Sequence, residues 1–274
     1  MVQRSTQNTI SMKIEAKEVA VEFHDLTVSY DKKPVLWNID MTLPKGKLIG
    51  IIGPNGAGKS TLIKSAMGLL PLSSGYVRMF DQALNDIRQQ VSYVPQRETV
   101  DWDFPTSVMD VVLMGRYSKL GLFKRVRKAD KETAMACLKK VGMEAFTKRQ
   151  ISQLSGGQQQ RVFLARALAQ DADLYFMDEP FAGVDAATES AILDVLQELT
   201  TQGKTVIVVH HDLQSAAAFF DWIVLLNMRL VAVGPIEEVF TNHLLQEAYG
   251  GKLTVLSEVS ELIKKRRIPS RERY

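Results

Sequence analysis

A glycine-rich segment has the residue types and the spacing of a phosphate-binding loop. It fits the pattern G-x-x-x-x-G-K-[ST] with Gly53, Pro54, Asn55, Gly56, Ala57, Gly58, Lys59, Ser60 and Thr61. The glycines let backbone N–H groups converge on phosphate oxygens, and a following helix presents its positive end to the same anion. We expect Lys59 to reach the β- and γ-phosphates of a nucleoside triphosphate and Ser60 to ligate Mg²⁺.

An apolar run that ends in two carboxylates supplies a second reactive group. The residues Leu-Tyr-Phe-Met at 174–177 are followed by Asp178 and Glu179. Beside a phosphate-binding loop, a strand of this kind delivers an aspartate to the Mg²⁺ shell, and Asp178 fits that role. Glu179 is placed to orient or deprotonate the attacking water. Taken alone, the pair also fits a solvated strand end, but with the loop it favours hydrolysis of the triphosphate.

A third segment combines a serine hydroxyl, two glycine amides and a helix N-terminus, which together make a second anion site. It consists of Leu154, Ser155, Gly156, Gly157 and Gln158, directly before a stretch with helical spacing at 159–169. A serine–glycine helix cap is the purely structural alternative.

With this LSGGQ segment the sequence resembles the ABC ATPase family, over roughly residues 20–240. The resemblance implies that Tyr30 stacks on adenine, although a core-edge tyrosine is the structural alternative. Gln96 then matches the Q-loop, which senses Mg²⁺ and contacts the membrane partner, and Asp185 matches the D-loop. His211 matches the switch histidine that touches the γ-phosphate, because it directly precedes an aspartate. His210 is the competing candidate and otherwise packs or caps.

The resemblance also implies a mechanism. ATP and Mg²⁺ are the expected cofactors, and Lys59, Glu179 and His211 are the expected catalytic residues. Two ATPase subunits, expected to be identical copies, pair head to tail so that each LSGGQ segment caps the partner's ATP across a two-fold interface. Hydrolysis removes the bridging γ-phosphate, the dimer opens, and the opening drives an attached permease.

The segment 100–108 and the later Gly115, Arg116 and Tyr117 look like the manganese, zinc and iron importer branch of that family. This implies an ATPase subunit that powers metal import through a separate integral membrane permease, at the cytoplasmic face of the membrane. An extracytoplasmic metal-binding protein would act indirectly. The helical lobe would receive the permease's coupling helix, so that Trp102 has either this use or a packing role. One cysteine and four scattered histidines offer no metal-ligand spacing for the cargo itself.

Hydrophobic periodicity indicates the elements that must position these residues. Strands are predicted at 19–30, 35–43, 48–52, 174–177, 205–209, 222–226 and 230–233, and helices at 59–70, 108–114, 131–141, 159–169 and 188–200. The expected fold is α/β: a P-loop NTPase core with a mixed sheet, an antiparallel β subdomain and an inserted helical lobe. We predict a flexible leader at 1–18, an ATPase domain at 19–250 with its lobe at about 97–160, and a basic tail at 251–274.

Composition narrows the remaining possibilities. The formal net charge of the 274 residues is +3, which is too small to argue for nucleic acid as a partner. Cys137 is the single cysteine, so no intrachain disulfide can form. No stretch approaches the ~18 apolar residues of a membrane span, so any membrane role must come through a partner. The basic tail is either a solvated segment or a surface attracted to anionic lipid.

Two other classes of protein are alternatives to this interpretation. A non-transport ABC ATPase, such as an iron–sulfur assembly subunit, shares all the ATP motifs, and only copurification with a membrane protein would separate the two. A regulatory GTPase or a small-molecule kinase is disfavoured, because the sequence has no guanine-reading N/T-K-x-D at a strand end and LSGGQ has no role there.

Overall fold

The computed structural model describes residues 10–11, 18–31, 33–120 and 125–250. In chain order the strands are β1 (Ile10–Ser11), β2 (Val19–Tyr30), β3 (Lys33–Pro44), β4 (Leu48–Ile52), β5 (Ser74–Met79), β6 (Val91–Val94), β7 (Leu174–Asp178), β8 (Thr205–Val209), β9 (Trp222–Asn227) and β10 (Arg229–Pro235). The α-helices are α1 (Lys59–Ala66), α2 (Leu84–Ile87), α3 (Val108–Met114), α4 (Tyr117–Leu120), α5 (Lys128–Lys140), α6 (Gly156–Gln170), α7 (Ala186–Thr201), α8 (Leu213–Phe219), α9 (Ile236–Val239) and α10 (Asn242–Tyr249).

The chain divides into two compact units. Unit 1 comprises Met1–Pro44, Ile49–Asp81 and His211–Tyr274, and unit 2 comprises Lys45–Leu48 and Gln82–His210. The predicted leader lies outside the described residues except for Glu18 and for β1, which pairs with β10 in parallel. The predicted basic tail lies wholly outside them. No helix in the described parts of the chain combines the length and the apolar character needed to cross a bilayer.

Unit 1 contains the predicted antiparallel β subdomain, a three-stranded sheet in the order β3-β2-β5. In the central strand β2, Val21 lies opposite Leu43 on one side and Met79 on the other. All three side chains are buried. The alternation of apolar and polar residues that predicted this strand is therefore confirmed, with both predicted ends.

A second set of strands in unit 1 forms the mixed sheet that carries the phosphate-binding loop. β4 runs parallel to β9, while β9 and β10 form an antiparallel pair. All five residues of β4 are buried, as its short apolar run predicts. The helix after the loop, α1, ends at Ala66, so its predicted end at residue 70 is wrong. The chain turns there because the Gly68 and Leu69 N–H groups donate to the carbonyls of Ser65 and Lys64 at 3.0 and 2.8 Å.

Unit 2 contains three parallel strands in the order β8-β7-β6. The central strand β7 is buried along its whole length and lies between two strands that are also mostly buried. It ends at Asp178, so Glu179 is the first residue beyond the strand. The predicted order of apolar run and acidic pair is therefore confirmed.

The helical part of unit 2 is built from α3, α5 and α6, which pack against one another. Arg116 fastens them, because its Nε donates to Asp130 on α5 at 3.2 Å and its Nη1 donates to the Ala169 carbonyl on α6 at 3.0 Å. The ends of α3 are as predicted. α5 begins at Lys128 instead of residue 131, since the Asp130 carboxylate accepts the Arg127 N–H at 3.0 Å. The pKa of Asp130 is lowered, mainly by this hydrogen bond and to a smaller extent by the Arg116 guanidinium.

Candidate functional site

In unit 1 the phosphate-binding loop is wrapped around the ammonium group of Lys59. This side chain is 6% exposed, and its Nζ donates to the carbonyls of Gly53 and Pro54 at 2.8 and 3.0 Å. A buried ammonium needs such partners, because an unsatisfied buried charge is costly. The loop therefore holds the Lys59 ammonium group against its own backbone carbonyls.

The backbone of the loop requires glycine at two places. Gly56 and Gly58 have φ angles of 80° and 91°, in the left-handed region that residues with a Cβ rarely adopt. Gly58 is the N-cap of α1, and the helix starts at Lys59. The first N–H groups of a helix have no intrahelical acceptor, so this end of α1 is suited to an anion.

Two further predicted residues of unit 1 lie at the ends of elements. Tyr30 is the last residue of β2 and is 45% exposed, so its ring has an open face. His211 is exposed and directly precedes Asp212, the N-cap of α8. The Asp212 carboxylate accepts from the N–H groups of Gln214 and Ser215, each at 3.0 Å. This cap fixes the backbone immediately after His211.

His210, the competing histidine, has a different environment. It is 2% exposed, and its ring meets Phe181 edge-on with the ring centres 5.4 Å apart. A buried ring in an edge-to-face contact is a packing element. Of the two histidines, His211 is the one that is exposed to solvent.

In unit 2 the two carboxylates differ in burial and in backbone conformation. Asp178 is fully buried, whereas Glu179 is partly exposed and has a φ of 52°. A glutamate in the left-handed region is uncommon, and such strain is concentrated at functional sites. The Gln96 amide donates to the Glu179 carboxylate over a long 3.4 Å. Burial, followed by the negative charge of Asp178, raises the pKa of the nearby Tyr93 hydroxyl.

The LSGGQ segment of unit 2 forms a capped helix start. α6 begins at Gly156, earlier than the predicted residue 159, because Ser155 and Gln158 cap it reciprocally. The Ser155 hydroxyl accepts the Gln158 N–H at 3.4 Å, and the Gln158 side-chain oxygen accepts the Ser155 N–H at 3.0 Å. Both glycines therefore lie in the first turn, where their N–H groups point out of the helix end.

Asp185 is the N-cap of α7, also in unit 2. Its carboxylate accepts the Thr188 N–H at 2.8 Å and the Thr188 hydroxyl at 3.1 Å. These hydrogen bonds, the backbone one first, lower the pKa of Asp185. The cap ties the residue predicted as the D-loop aspartate to the first turn of α7.

Sequence reasoning missed Tyr249 and Arg97. In unit 1, Tyr249 on α10 lies beside the Gly53 backbone and near Asp212, and burial raises the pKa of its hydroxyl to about 12. In unit 2, the guanidinium of Arg97 contacts the first turn of α6. Neither residue belongs to a motif, so no local signal in the sequence marks them.

An apolar cavity of about 230 Å³ lies in the helical part of unit 2. Trp102 forms part of its wall: its Nε1 donates to the Arg97 carbonyl at 2.8 Å, and its ring centre is 4.7 Å from that of Phe163. Trp102 therefore packs against Phe163 and also lines the cavity. The side chains at the rim include two large exposed hydrophobic residues, Phe104 at 58% and Met114 at 38% exposure.

Comparison with known proteins gives these features a context. Residues 36–182 match the ABC transporter family. The chain is 64% identical to the manganese transport system ATP-binding protein MntB of Bacillus subtilis (strain 168), over 87% of this chain and 95% of that one. It is 58% identical to the zinc transport system ATP-binding protein TroB of Treponema pallidum (strain Nichols), over 88% and 91%.

One similar solved structure is the ATP-binding cassette MJ0796, as a dimer in a post-hydrolysis state bound to ADP and Pi. The TM-score is 0.69 and the identity 28%, with 79% of this chain and 98% of that chain covered. The predicted α/β fold with its P-loop core is thereby confirmed.

Proposed function

Because this chain belongs to the ABC transporter family as an ATP-binding and ATP-hydrolysing subunit, we propose that it powers the import of a divalent transition metal through a separate membrane permease. The single observation that carries this proposal is its high identity, over nearly the whole chain, to the ATP-binding subunits of a manganese and a zinc transport system. Manganese and zinc are accordingly the first candidate cargoes, and iron is the third.

The cargo does not need a site on this chain. Within the described residues, no group of three or more histidine, cysteine, aspartate or glutamate side chains is arranged to hold a metal ion. The transported ion would pass through the permease, and an extracytoplasmic metal-binding protein would deliver it there. The chain itself would attach to the cytoplasmic face of the membrane through the permease.

Each ATP-site residue has a proposed role in hydrolysis. Tyr30 stacks on the adenine, and the backbone of the loop from Gly53 to Thr61 binds the phosphates. Lys59, which already lies inside that loop, neutralises the β- and γ-phosphates. Glu179 orients the attacking water and His211 contacts the γ-phosphate, which their exposure and their fixed backbones support.

Mg²⁺ fits the donor groups that are present. Ser60, Gln96 and Asp178 offer a hydroxyl, an amide carbonyl and a carboxylate, which are the oxygen donors that Mg²⁺ prefers. Asp178 at the buried end of β7 is suited to a cation, because a buried carboxylate gains most from a positive partner. Bound there with ATP, the ion would offset negative charge on the β- and γ-phosphates.

Two copies of the chain would form the working unit. The dimeric state of the cassette MJ0796, which is similar to this chain, supports such pairing. The segment Ser155–Gln158 of one copy would cap the ATP of the other, using the amides of the first turn of α6. Asp185 would contact the partner from the rigid start of α7.

The permease would dock on the helical part of unit 2. The cavity there is lined mostly by apolar side chains, and exposed hydrophobic residues at its rim are typical of an interaction site. Trp102 and Phe104, which both line this cavity, would contact the permease. A non-transport role such as iron–sulfur assembly is not favoured by the relatives, which are transport subunits by name.

The test is uptake of radiolabelled Mn²⁺, Zn²⁺ and Fe²⁺ in cells that carry the wild-type protein or the Glu179→Gln variant, with the metals in competition. Loss of uptake of one or two metals in the variant would support import and identify the cargo. Unchanged uptake of all three, by a variant shown to have lost ATP hydrolysis, would refute metal import and leave the ATPase activity standing.

A further inference from the structure

The side chain of Arg97 joins the Q-loop to the helix that follows the LSGGQ segment. Its Nε and Nη2 both donate to the side-chain oxygen of Gln159 on α6, each at 3.2 Å. Gln159 is 4% exposed, and its amide nitrogen donates to the Ile151 carbonyl at 3.2 Å. Because this nitrogen is committed to Ile151, the amide oxygen must face Arg97. The contact is thus oriented from both sides.

The same guanidinium covers the first glycine of the LSGGQ segment. A Cβ added at Gly156 would lie 2.9 Å from Cζ and 3.0 Å from Nε of Arg97. At such a distance one of the two groups has to move. Arg97 therefore contacts both the backbone of the first turn of α6, at Gly156, and a side chain of that turn, at Gln159.

The backbone on the other side of Arg97 is equally fixed. The preceding carbonyl, that of Gln96, accepts from the N–H and the hydroxyl of Thr99 at 3.1 and 2.7 Å. The carbonyl of Arg97 accepts from the Trp102 ring at 2.8 Å. The Gln96 side chain reaches Glu179 at 3.4 Å. The Arg97 side chain thus connects the first turn of α6 to the backbone that carries Gln96.

We propose that Arg97 is a positioning residue that links the two ATP sites of the dimer through one chain. The inference rests on the proposed function, in which Glu179 acts on the ATP held by its own chain while Ser155–Gln158 contacts the partner's ATP. Arg97 contacts the first turn of α6 at Gly156 and Gln159, and it directly follows Gln96, whose side chain reaches Glu179. It keeps the LSGGQ segment and the Gln96–Glu179 pair in a fixed relative position. Hydrolysis of the ATP bound by one copy therefore depends on the LSGGQ segment of the other copy and on its Arg97.

The residue type matters to this role. An arginine presents two N–H groups from one planar guanidinium, which Gln159 uses together, whereas lysine offers a single point of charge on a flexible stem. Arg97→Lys should therefore recover only part of what Arg97→Met loses. Gln159→Leu removes the acceptor, and in the same chain it should add little to the effect of Arg97→Met, because the two changes break one contact.

The test uses mixed dimers of the full chain with two different affinity tags, one copy carrying Glu179→Gln. Only the site whose own copy keeps Glu179 then hydrolyses ATP. Arg97→Met is placed either in the copy that keeps Glu179 or in the copy that carries Glu179→Gln. In the first placement the substitution acts beside Gln96 and Glu179 of the hydrolysing copy. In the second it acts through the LSGGQ segment of the other copy, which caps the same ATP.

We expect ATP turnover to fall in both placements by at least about ten-fold, because Arg97→Met removes both N–H groups that the charged guanidinium donates to Gln159. Binding of a fluorescent ATP analogue to each single variant should be unchanged, because the contacts of Arg97 with Gly156, Gln159 and Trp102 involve no residue that we propose to hold the ATP of its own chain. A loss in only one placement would show that Arg97 supports one site alone and would overturn the link, as would retained activity in both.

Two controls separate the inference from other causes. Lys128→Met removes one positive charge from the same unit at a side chain that is 92% exposed, and it should leave turnover unchanged. Melting temperatures of the Arg97 variants, compared with that of Lys128→Met, report any general loss of folding. If mixed dimers with Arg97 intact in both copies do not form with ATP, the proposed dimer itself fails, and that result does not depend on Arg97.

Discussion

Replacing Gly58 by alanine should distort the phosphate-binding loop by an amount that the structure allows us to estimate. The residue has a φ of 91°, and an added Cβ would lie 2.5 Å from Cδ2 of Leu36, a fully buried side chain. Left-handed backbone costs a residue with a Cβ roughly 1–2 kcal/mol. Forcing an extra carbon into packed surroundings costs about 1–3 kcal/mol more. The free energy of unfolding should therefore fall by about 2–5 kcal/mol.

Gly56 provides a matched control within the same loop. Its φ is 80°, but a Cβ there would meet nothing within 4 Å. Gly56→Ala should consequently lose only the backbone contribution, about 1–2 kcal/mol. The difference between the two variants isolates the contact with Leu36.

The assay is thermal unfolding of both variants without nucleotide. In a protein of this size each kcal/mol lowers the melting temperature by roughly 2–4 °C, so Gly58→Ala should melt roughly 2–12 °C below Gly56→Ala. Shortening Leu36 to valine in the Gly58→Ala background should narrow that gap, because it removes the atom nearest to the new Cβ. Equal melting temperatures for the two alanine variants would refute the argument that Leu36 closes the space beside the loop.

Three further outcomes follow from single contacts. Phe104→Ser should weaken copurification of the permease in detergent while ATP hydrolysis by the isolated chain is retained, since Phe104 is 58% exposed at the cavity rim; unchanged copurification would contradict docking there. His211→Ala should lower ATP turnover without changing the melting temperature, and His210→Ala, which removes a buried ring, should do the reverse; turnover assays and melting curves of both variants decide. Hydrogen bonding lowers the pKa of Asp185, so its cap on α7 is at full strength above about pH 4 and is lost as the pH falls through the lowered pKa. Below about pH 4 the melting temperature of the wild type should therefore fall faster than that of Asp185→Asn, which keeps a capping oxygen but does not titrate. Parallel curves of melting temperature against pH would contradict the cap.

The elements that the sequence predicted well are those with a strong local pattern. The apolar runs of β4 and β8 and the periodic helix α3 have the predicted ends, because burial on fixed faces is written into consecutive residues. The motif residues could also be predicted from the sequence, since the phosphate-binding loop requires particular glycines at particular spacings. The ends of helices were harder to predict. α1 ends at Ala66, where the N–H groups of Gly68 and Leu69 bond back to the last turn, although apolar residues continue beyond this point.

Features that depend on contacts between distant parts of the chain could not be predicted from local sequence patterns. Arg97 and Gln159 are 62 residues apart, and nothing near either residue indicates that their side chains meet. The raised pKa of Tyr249 likewise depends on burial by the fold. Tertiary contacts, and not local propensity, decide these features.

The most direct test of the account is the oligomeric state of the full chain with Glu179→Gln, measured by light scattering in MgCl₂ with and without ATP. If Glu179 promotes hydrolysis and Ser155–Gln158 caps the partner's ATP, the variant binds ATP without consuming it and should double in mass only when ATP is present. Ser155→Arg in the same background, which blocks the capping turn of α6, should then remain monomeric. A Glu179→Gln protein that binds ATP and stays monomeric would contradict the paired mechanism.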